Sequence, residues 1–295
     1  MTNTSRTVLF FGTDAFSVSA LQHLIDAGYT IGAVITKPDT RSGRGQKLTP
    51  PAVKVIADAH AIPVWQPVRL DEIIDKIKAF ENPVGVLSSF GRIIPQAIID
   101  LFTPGIINVH PSLLPKYRGP SPIETAIVNG DQETGVSIML LSAKMDAGPV
   151  YAQSTFPLIG TETQPLLYEQ LADRGSALLI QHLPAILDGS LQPTPQDETA
   201  ATYTSLLRKE AAGVDPLTMS AEQLSRTIRA FLVFPKTKLT LLGQLVTVTA
   251  GHVSTERTSL LDVTCADGQF LVIDELIAPS GRRMSGTAFI NGYTA

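Results

Sequence analysis

Cysteine is almost missing from this 295-residue chain: Cys265 stands alone, which excludes an internal disulfide and any cysteine-built zinc site. A lone thiol fits a reducing compartment. Charge is sparse as well, at 17% Asp, Glu, Lys and Arg with a net of −4, and aromatic residues make up only 6%. Long hydrophobic runs are also lacking. The most apolar stretch, 84–109, is broken by Arg92, Pro95, Asp100 and Pro104, whereas a membrane span needs about 20 nearly uninterrupted apolar residues. Near the N-terminus, Thr7–Phe11 is too short for the apolar region of a signal peptide. The expectation is a soluble, cytoplasmic monomer with no membrane partner. Taken whole, the acidic net charge also argues against a polyanionic partner.

Phosphate-binding glycine patterns are missing too. The first strand-to-helix turn, Phe11-Gly12-Thr13-Asp14-Ala15-Phe16, lacks the second and third glycines of a dinucleotide fingerprint. Gly12 reads as a tight turn and Asp14 as a helix N-cap. Ser42-Gly43-Arg44-Gly45-Gln46-Lys47 lacks the Gly-Lys-Ser/Thr ending of a nucleotide-hydrolysing loop.

What is present is the material for a core. Hydrophobic residues make up 44% of the chain and mean hydropathy is +0.17, which rules out bulk disorder. The length exceeds what one core usually serves, so two domains are expected. Residues 7–110 alternate short β-branched runs with helical patterns, the rhythm of an α/β fold with a mostly parallel sheet. The strands read as 8–12, 31–36, 62–65, 84–88 and 106–110. A hairpin at 134–141 and 150–156 extends the sheet. A long helix over 163–188 follows, with Pro184 predicting a kink or early stop. The segment 190–204 is rich in Pro, Gln and Thr without periodicity and reads as a linker between domains 1–189 and 205–295. The second domain has a helix at 221–231, then short strands at 237–242, 245–250, 260–265 and 270–276, the spacing of a small barrel.

Three stretches carry chemistry. The run Ile106-Ile107-Asn108-Val109-His110 delivers Asn108 and His110 to one side of a strand, two residues apart, and stops at a proline-rich loop. Ligands of open α/β sheets sit at such carboxyl ends. A satisfied structural histidine is the plain alternative; an Asn and a His together offer two donors for a developing oxyanion. Asp146, in Asp146-Ala147-Gly148-Pro149, is either a turn-capping carboxylate or a proton acceptor beside His110. Lys37–Lys54 holds five bases (Lys37, Arg41, Arg44, Lys47, Lys54) against Asp39 alone, either a solvated loop or a basic clamp on phosphates.

The pattern Asn108-x-His110-x-Ser112-Leu113-Leu114-Pro115-x-Tyr117-Arg118-Gly119, with Asp146 downstream, resembles the folate-dependent formyltransferases over essentially the whole chain. Within them, the 37–54 stretch and the tail Gly281-Arg282-Arg283-Met284-Ser285 are similar to the members that act on tRNA. The resemblance implies a doubly wound, Rossmann-like formyltransferase domain at 1–189 and an OB-like tRNA-binding barrel at 205–295. It implies 10-formyltetrahydrofolate as formyl donor, initiator methionyl-tRNA as acceptor, and no metal. Sugar-nucleotide amine formylation and formyltetrahydrofolate hydrolysis use the same residues and remain the alternatives. Asn108, His110 and Asp146 would be catalytic. Phe90, Gly91, Ile93, Ser112, Leu113, Leu114 and Pro115 would bind folate, and Arg41, Arg44, Lys47, Lys236 and Lys238 would bind tRNA. Two departures stand out: Phe231-Leu232-Val233-Phe234-Pro235 replaces the usual Asn-Pro-Trp before the proline, and 254–259 lacks the expected strand start. The barrel is therefore expected to be irregular. Charge is also segregated, with six bases against three acids over 205–240. The distribution, unlike the total, fits a tRNA partner.

Overall fold

A computed structural model describes residues 6–42 and 45–293. The chain forms two compact units, each assembled from separated segments: 1–119, 135–156 and 168–203 in the first, and 120–134, 157–167 and 204–295 in the second.

In the first unit, β1 (Val8–Gly12) leads into α1 (Ala15–Asp26). Asp14 caps that helix by accepting from the Phe16 N–H at 3.1 Å. Gly28, at φ 81°, ends it in the left-handed conformation, with Gly28 N–H on the Ile25 carbonyl and Tyr29 N–H on that of Leu24. Then come β2 (Ile31–Ile35), a small hairpin of β3 (Thr40–Ser42) and β4 (Lys47–Thr49), α2 (Ala52–Ala59) and β5 (Val64–Trp65). A 3-10 turn, Leu70–Ile73, runs into α3 (Ile74–Lys78). After it come β6 (Val84–Ser88), α4 (Gln96–Ile99) and β7 (Ile106–His110).

Past α5 (Pro122–Asn129), which belongs to the second unit, β8 (Glu133–Leu140) and β9 (Val150–Pro157) complete a seven-stranded sheet of order β5-β2-β1-β6-β7-β8-β9. β1, β2, β5, β6 and β7 run parallel, and β8 lies antiparallel to β7. β1, β6 and β7 are buried along their whole length, as central strands covered on both faces must be, which is why they read as unbroken apolar runs. One face packs Leu9, Phe11, Ile35, Leu87 and Ile106 against Ile73, Ile77 and Ile98. The helix α6 (Gln164–Leu187) contains Pro184 and continues past it, with Asp188 N–H bonding the Pro184 carbonyl at 3.0 Å. Of the kink or early stop expected there, the early stop does not occur: the proline removes one donor, to the carbonyl four residues before it, and the helix closes within a turn afterwards.

The second unit includes α7 (Ala221–Ala230), opened by a capping box in which Ser220 and Gln223 exchange side-chain bonds. Its sheet joins β10 (Lys238–Leu241), β11 (Gln244–Ser254), β12 (Val263–Thr264), β13 (Phe270–Ile277) and β14 (Arg283–Ser285), all antiparallel, and α8 (Gly286–Tyr293) follows. Leu224, Ile228, Leu239, Val246, Leu271, Ile273 and Phe289 form its core. Where strand 260–265 is expected, only Val263–Thr264 pair. The residues before them are gathered around the Asp262 carboxylate, which accepts from Ser259 N–H at 2.8 Å, Ser259 Oγ at 2.6 Å and the hydroxyl and N–H of Thr258. A buried acid thus takes the place of a strand ladder. α8 lies in the tail and has no counterpart in the sequence reading.

Candidate active site

Strand order reverses between β1 and β6, the place where open α/β sheets hold ligands. Two polar bonds tie that crevice. Ser89 Oγ donates to Asp14 Oδ2 at 2.5 Å, and Thr13 Oγ1 donates to the Phe90 carbonyl at 3.0 Å. Tyr168 joins this cluster; burial, then the Asp14 carboxylate, push its phenol up from the ordinary value and keep it protonated.

The next carboxyl end belongs to β7. The alternation of the strand sends Asn108 and His110 to one side, and both are only 5% exposed. Among the described residues the Asn108 carboxamide has no hydrogen-bond partner, and its polar atoms are not fully enclosed, so they stay reachable from the site although the residue as a whole is buried. His110 Nε2 lies 3.0 Å from the Tyr117 carbonyl. A carbonyl only accepts, so Nε2 carries the proton and Nδ1 is left to face the site. Asp146 Oδ2 lies 3.8 Å from that Nδ1. The same oxygen accepts the Gly119 N–H at 2.8 Å, so Asp146 reaches across to a distant loop and is no mere cap of its own turn. Three residues around these strand ends, Ser89, Tyr117 and Asp146, have positive φ of 45°, 61° and 48°. Non-glycine residues in this conformation persist only where surrounding bonds hold them.

The expected folate residues leave the carboxyl edge in two groups, after the paired strands β6 and β7. Phe90 packs into the core edge-on to Phe11 at 5.6 Å, so its contribution beyond the core is through its backbone. Gly91 has φ 65°, and a Cβ there would come within 2.6 Å of Lys37 Nζ. Ile93 is 84% exposed. Ser112 Oγ donates to the Lys116 carbonyl at 2.6 Å, Ser137 Oγ bonds the Ser112 carbonyl at 2.6 Å, and Gln153 Nε2 donates to the Leu114 carbonyl at 2.8 Å. Leu113 and Pro115 are half-buried in the same turn. Among the described residues no hydrogen bond links the two groups.

Residues 6–183 match the formyl transferase family, and residues 206–294 match the formyl transferase C-terminal domain. The chain belongs to the formyl transferase family. This formyl transferase is 35% identical over 300 residues to the methionyl-tRNA formyltransferase of Pelobacter propionicus, covering 98% of this chain and 93% of the relative. It is 38% identical over 296 residues to that of Pseudomonas entomophila, covering 96% and 95%. In three dimensions it resembles HypX from Aquifex aeolicus, solved with tetrahydrofolic acid, at TM-score 0.69 and 16% identity. That match covers 98% of this chain and 47% of the longer one.

The basic stretch of this formyl transferase is the β3–β4 hairpin, with Arg41 opposite Leu48 and Lys47 opposite Ser42. Arg41 and Lys47 are exposed, whereas Arg44 lies outside the described residues. Lys54 does not join them: its Nζ lies 3.0 Å from both Asp39 carboxylate oxygens and 2.9 Å from Gln66 Oε1. Hydrogen bonds from Gln66, then Lys54, hold the Asp39 carboxyl below its ordinary range. One of the five bases is therefore neutralised at the hairpin base. In the second unit, Lys236 and Lys238 are exposed, and Lys236 has φ 69°.

Sequence reasoning missed the surroundings of Arg118. This side chain is fully buried, with Glu198 oxygens at 2.8 and 3.1 Å, Tyr203 Oη at 3.0 Å and Gln196 Oε1 at 3.0 Å. Glu198, paired this way, has its carboxyl held below the usual range. These partners come from residues 196–203, in a stretch that is part of the first unit and bonded to β9 through Val150 and Thr194. The only signal was a Gln-Asp-Glu cluster inside a segment without periodicity.

Proposed function

We propose that this formyl transferase moves the formyl group of 10-formyltetrahydrofolate to the α-amine of initiator methionyl-tRNA. The observation that carries the chemistry is the unpartnered Asn108 amide on the same side of β7 as His110, with the Asp146 carboxylate 3.8 Å from His110 Nδ1. The neutral amine attacks the formyl carbon, a C–N bond forms, and the carbonyl oxygen becomes an oxyanion. Asn108 Nδ2–H and protonated His110 donate to that oxygen, in a buried site where such bonds count most. Asp146 takes the proton the amine sheds and passes it, directly or through water, to folate N10; the oxyanion re-forms the carbonyl as the C–N10 bond breaks.

The ends of β6 and β7 suit the folate: Phe90, Gly91 and Ile93 on one side, Ser112 to Pro115 on the other. In this reading residues 1–189 catalyse, 190–204 connect, and 205–295 hold tRNA. Arg41, Arg44, Lys47, Lys236 and Lys238 meet phosphates, which need positive side chains without base-specific geometry. Full-length kinship with methionyl-tRNA formyltransferases favours tRNA over a sugar nucleotide as acceptor. The enzyme is read as a monomer working in the cytoplasm, where its substrates are; light scattering and cell fractionation check both.

The deciding experiment supplies labelled 10-formyltetrahydrofolate with charged initiator tRNA, with small sugar amines, or with water alone. Label on methionyl-tRNA is the expected result. Label only on a sugar amine, or release as formate alone, overturns the proposal.

A further inference from the structure

Gln196 makes three hydrogen bonds that close a circuit around Asp146. Its Nε2 donates to the carbonyls of Asp146 at 2.8 Å and Gly148 at 2.6 Å, using both hydrogens on acceptors two residues apart. Its Oε1 accepts from Arg118 Nε at 3.0 Å. The orientation of the amide is fixed by chemistry, since carbonyls only accept and a guanidinium only donates. Arg118 in turn immediately precedes Gly119, whose N–H holds the Asp146 carboxylate at 2.8 Å. Asp146 is thus gripped at its main chain by Gln196 and at its side chain by the loop that Gln196 braces.

The grip has work to do. Asp146 sits at φ 48° without being glycine, a conformation that surrounding bonds help to hold. Burial makes the brace stiff, because Arg118 is fully enclosed and clamped on its far side by both Glu198 oxygens. Gln196 itself touches no reacting atom. We infer that Gln196 is a positioning residue for formyl transfer: it sets the Asp146 carboxylate against His110 and makes the stretch that carries it part of the catalytic apparatus. The inference rests on the roles proposed above for Asp146 and His110.

The test compares full-length wild type with Gln196→Met, which keeps length and removes all three bonds. Gln196→Glu is run beside it; this variant retains a partner for Arg118 but presents oxygen to two carbonyls. Each is assayed for kcat, for KM of both substrates and for the pH–rate profile, well below its own Tm. A misplacement of about 1 Å costs up to about 10²-fold. We therefore expect kcat to fall about tenfold to a hundredfold in both variants, with each KM within about twofold and a changed pH profile. A lowered Tm with wild-type kcat and an unchanged profile in either variant overturns the inference and leaves Gln196 a structural residue. Wild type that leaves methionyl-tRNA unformylated in the same assay overturns the functional reading instead, so the two failures are told apart.

Discussion

His110 Nδ1 and Asp146 Oδ2 face each other at 3.8 Å, with the outer nitrogen of the same imidazole bonded to the Tyr117 carbonyl. The separation is longer than a hydrogen bond, as catalytic pairs often are before substrate binds. Asp146→Asn keeps an oxygen for the Gly119 N–H and removes only the charge. Its kcat for formyl transfer is expected to fall about 10²–10⁴-fold, the usual worth of a positioned acid–base group. The KM for 10-formyltetrahydrofolate should stay near wild type. Asn108→Ala, losing one oxyanion donor, should cost about 10²–10³-fold in kcat.

Gly148 has no space for a side chain. A Cβ there would lie 1.8 Å from the Leu140 carbonyl oxygen, which belongs to the backbone of β8 and cannot swing away. Gly148→Ala must therefore shift the 146–149 loop, and with it Asp146. The expected outcome is a kcat loss comparable to Asp146→Asn together with a lower Tm. Gly45→Ala is the control, because nothing lies within 4 Å of the Cβ it adds; its stability should change by less than about 0.5 kcal/mol.

The sheet was legible wherever burial on both faces wrote a continuous apolar run, as in Val8–Gly12, Val84–Ser88 and Ile106–His110. That Asn108 and His110 share one side of β7 was legible from strand alternation. The nearness of Asp146 was not, since it depends on β8 returning antiparallel to β7, which places Ser137 opposite His110. The polar contacts of residues 196–203 were hidden for a physical reason. That stretch is held by Gln196, Glu198, Thr202 and Tyr203 through polar bonds, and these leave no hydrophobic period to read. The pairing of Lys54 was hidden in the same way, because counting charges does not reveal which one is already paired.

The β3–β4 hairpin separates two kinds of lysine. Lys47 is exposed, whereas Lys54 is spent on Asp39 and Gln66. Charge reversal at Arg41 or Lys47 should raise the KM for methionyl-tRNA, leave the KM for folate unchanged and reduce the salt slope by about one phosphate contact each. Lys54→Met should instead lower Tm with little change in salt slope. Equal effects on both substrates at Arg41 and Lys47 would count against a phosphate-binding hairpin.

Asp262 makes the second unit acid-sensitive in a defined direction. Burial raises its carboxyl pKa, but the bonds from Ser259 and Thr258 outweigh that and hold it below its ordinary value. A carboxylate whose folded-state pKa is depressed adds stability that is complete above the unfolded value, about 3.9, and is lost as pH falls through the lower folded one. Its partners are hydroxyls and backbone N–H groups, so salt should not mask the effect as it would for a surface ion pair. Hydrogen exchange over 255–264 should accelerate as pH is lowered from about 5 toward 3, after correction for the intrinsic rate. Asp262→Asn should exchange faster even at neutral pH, with a flatter acid response. An acid response as steep as wild type in that variant would place the sensitive carboxyl elsewhere.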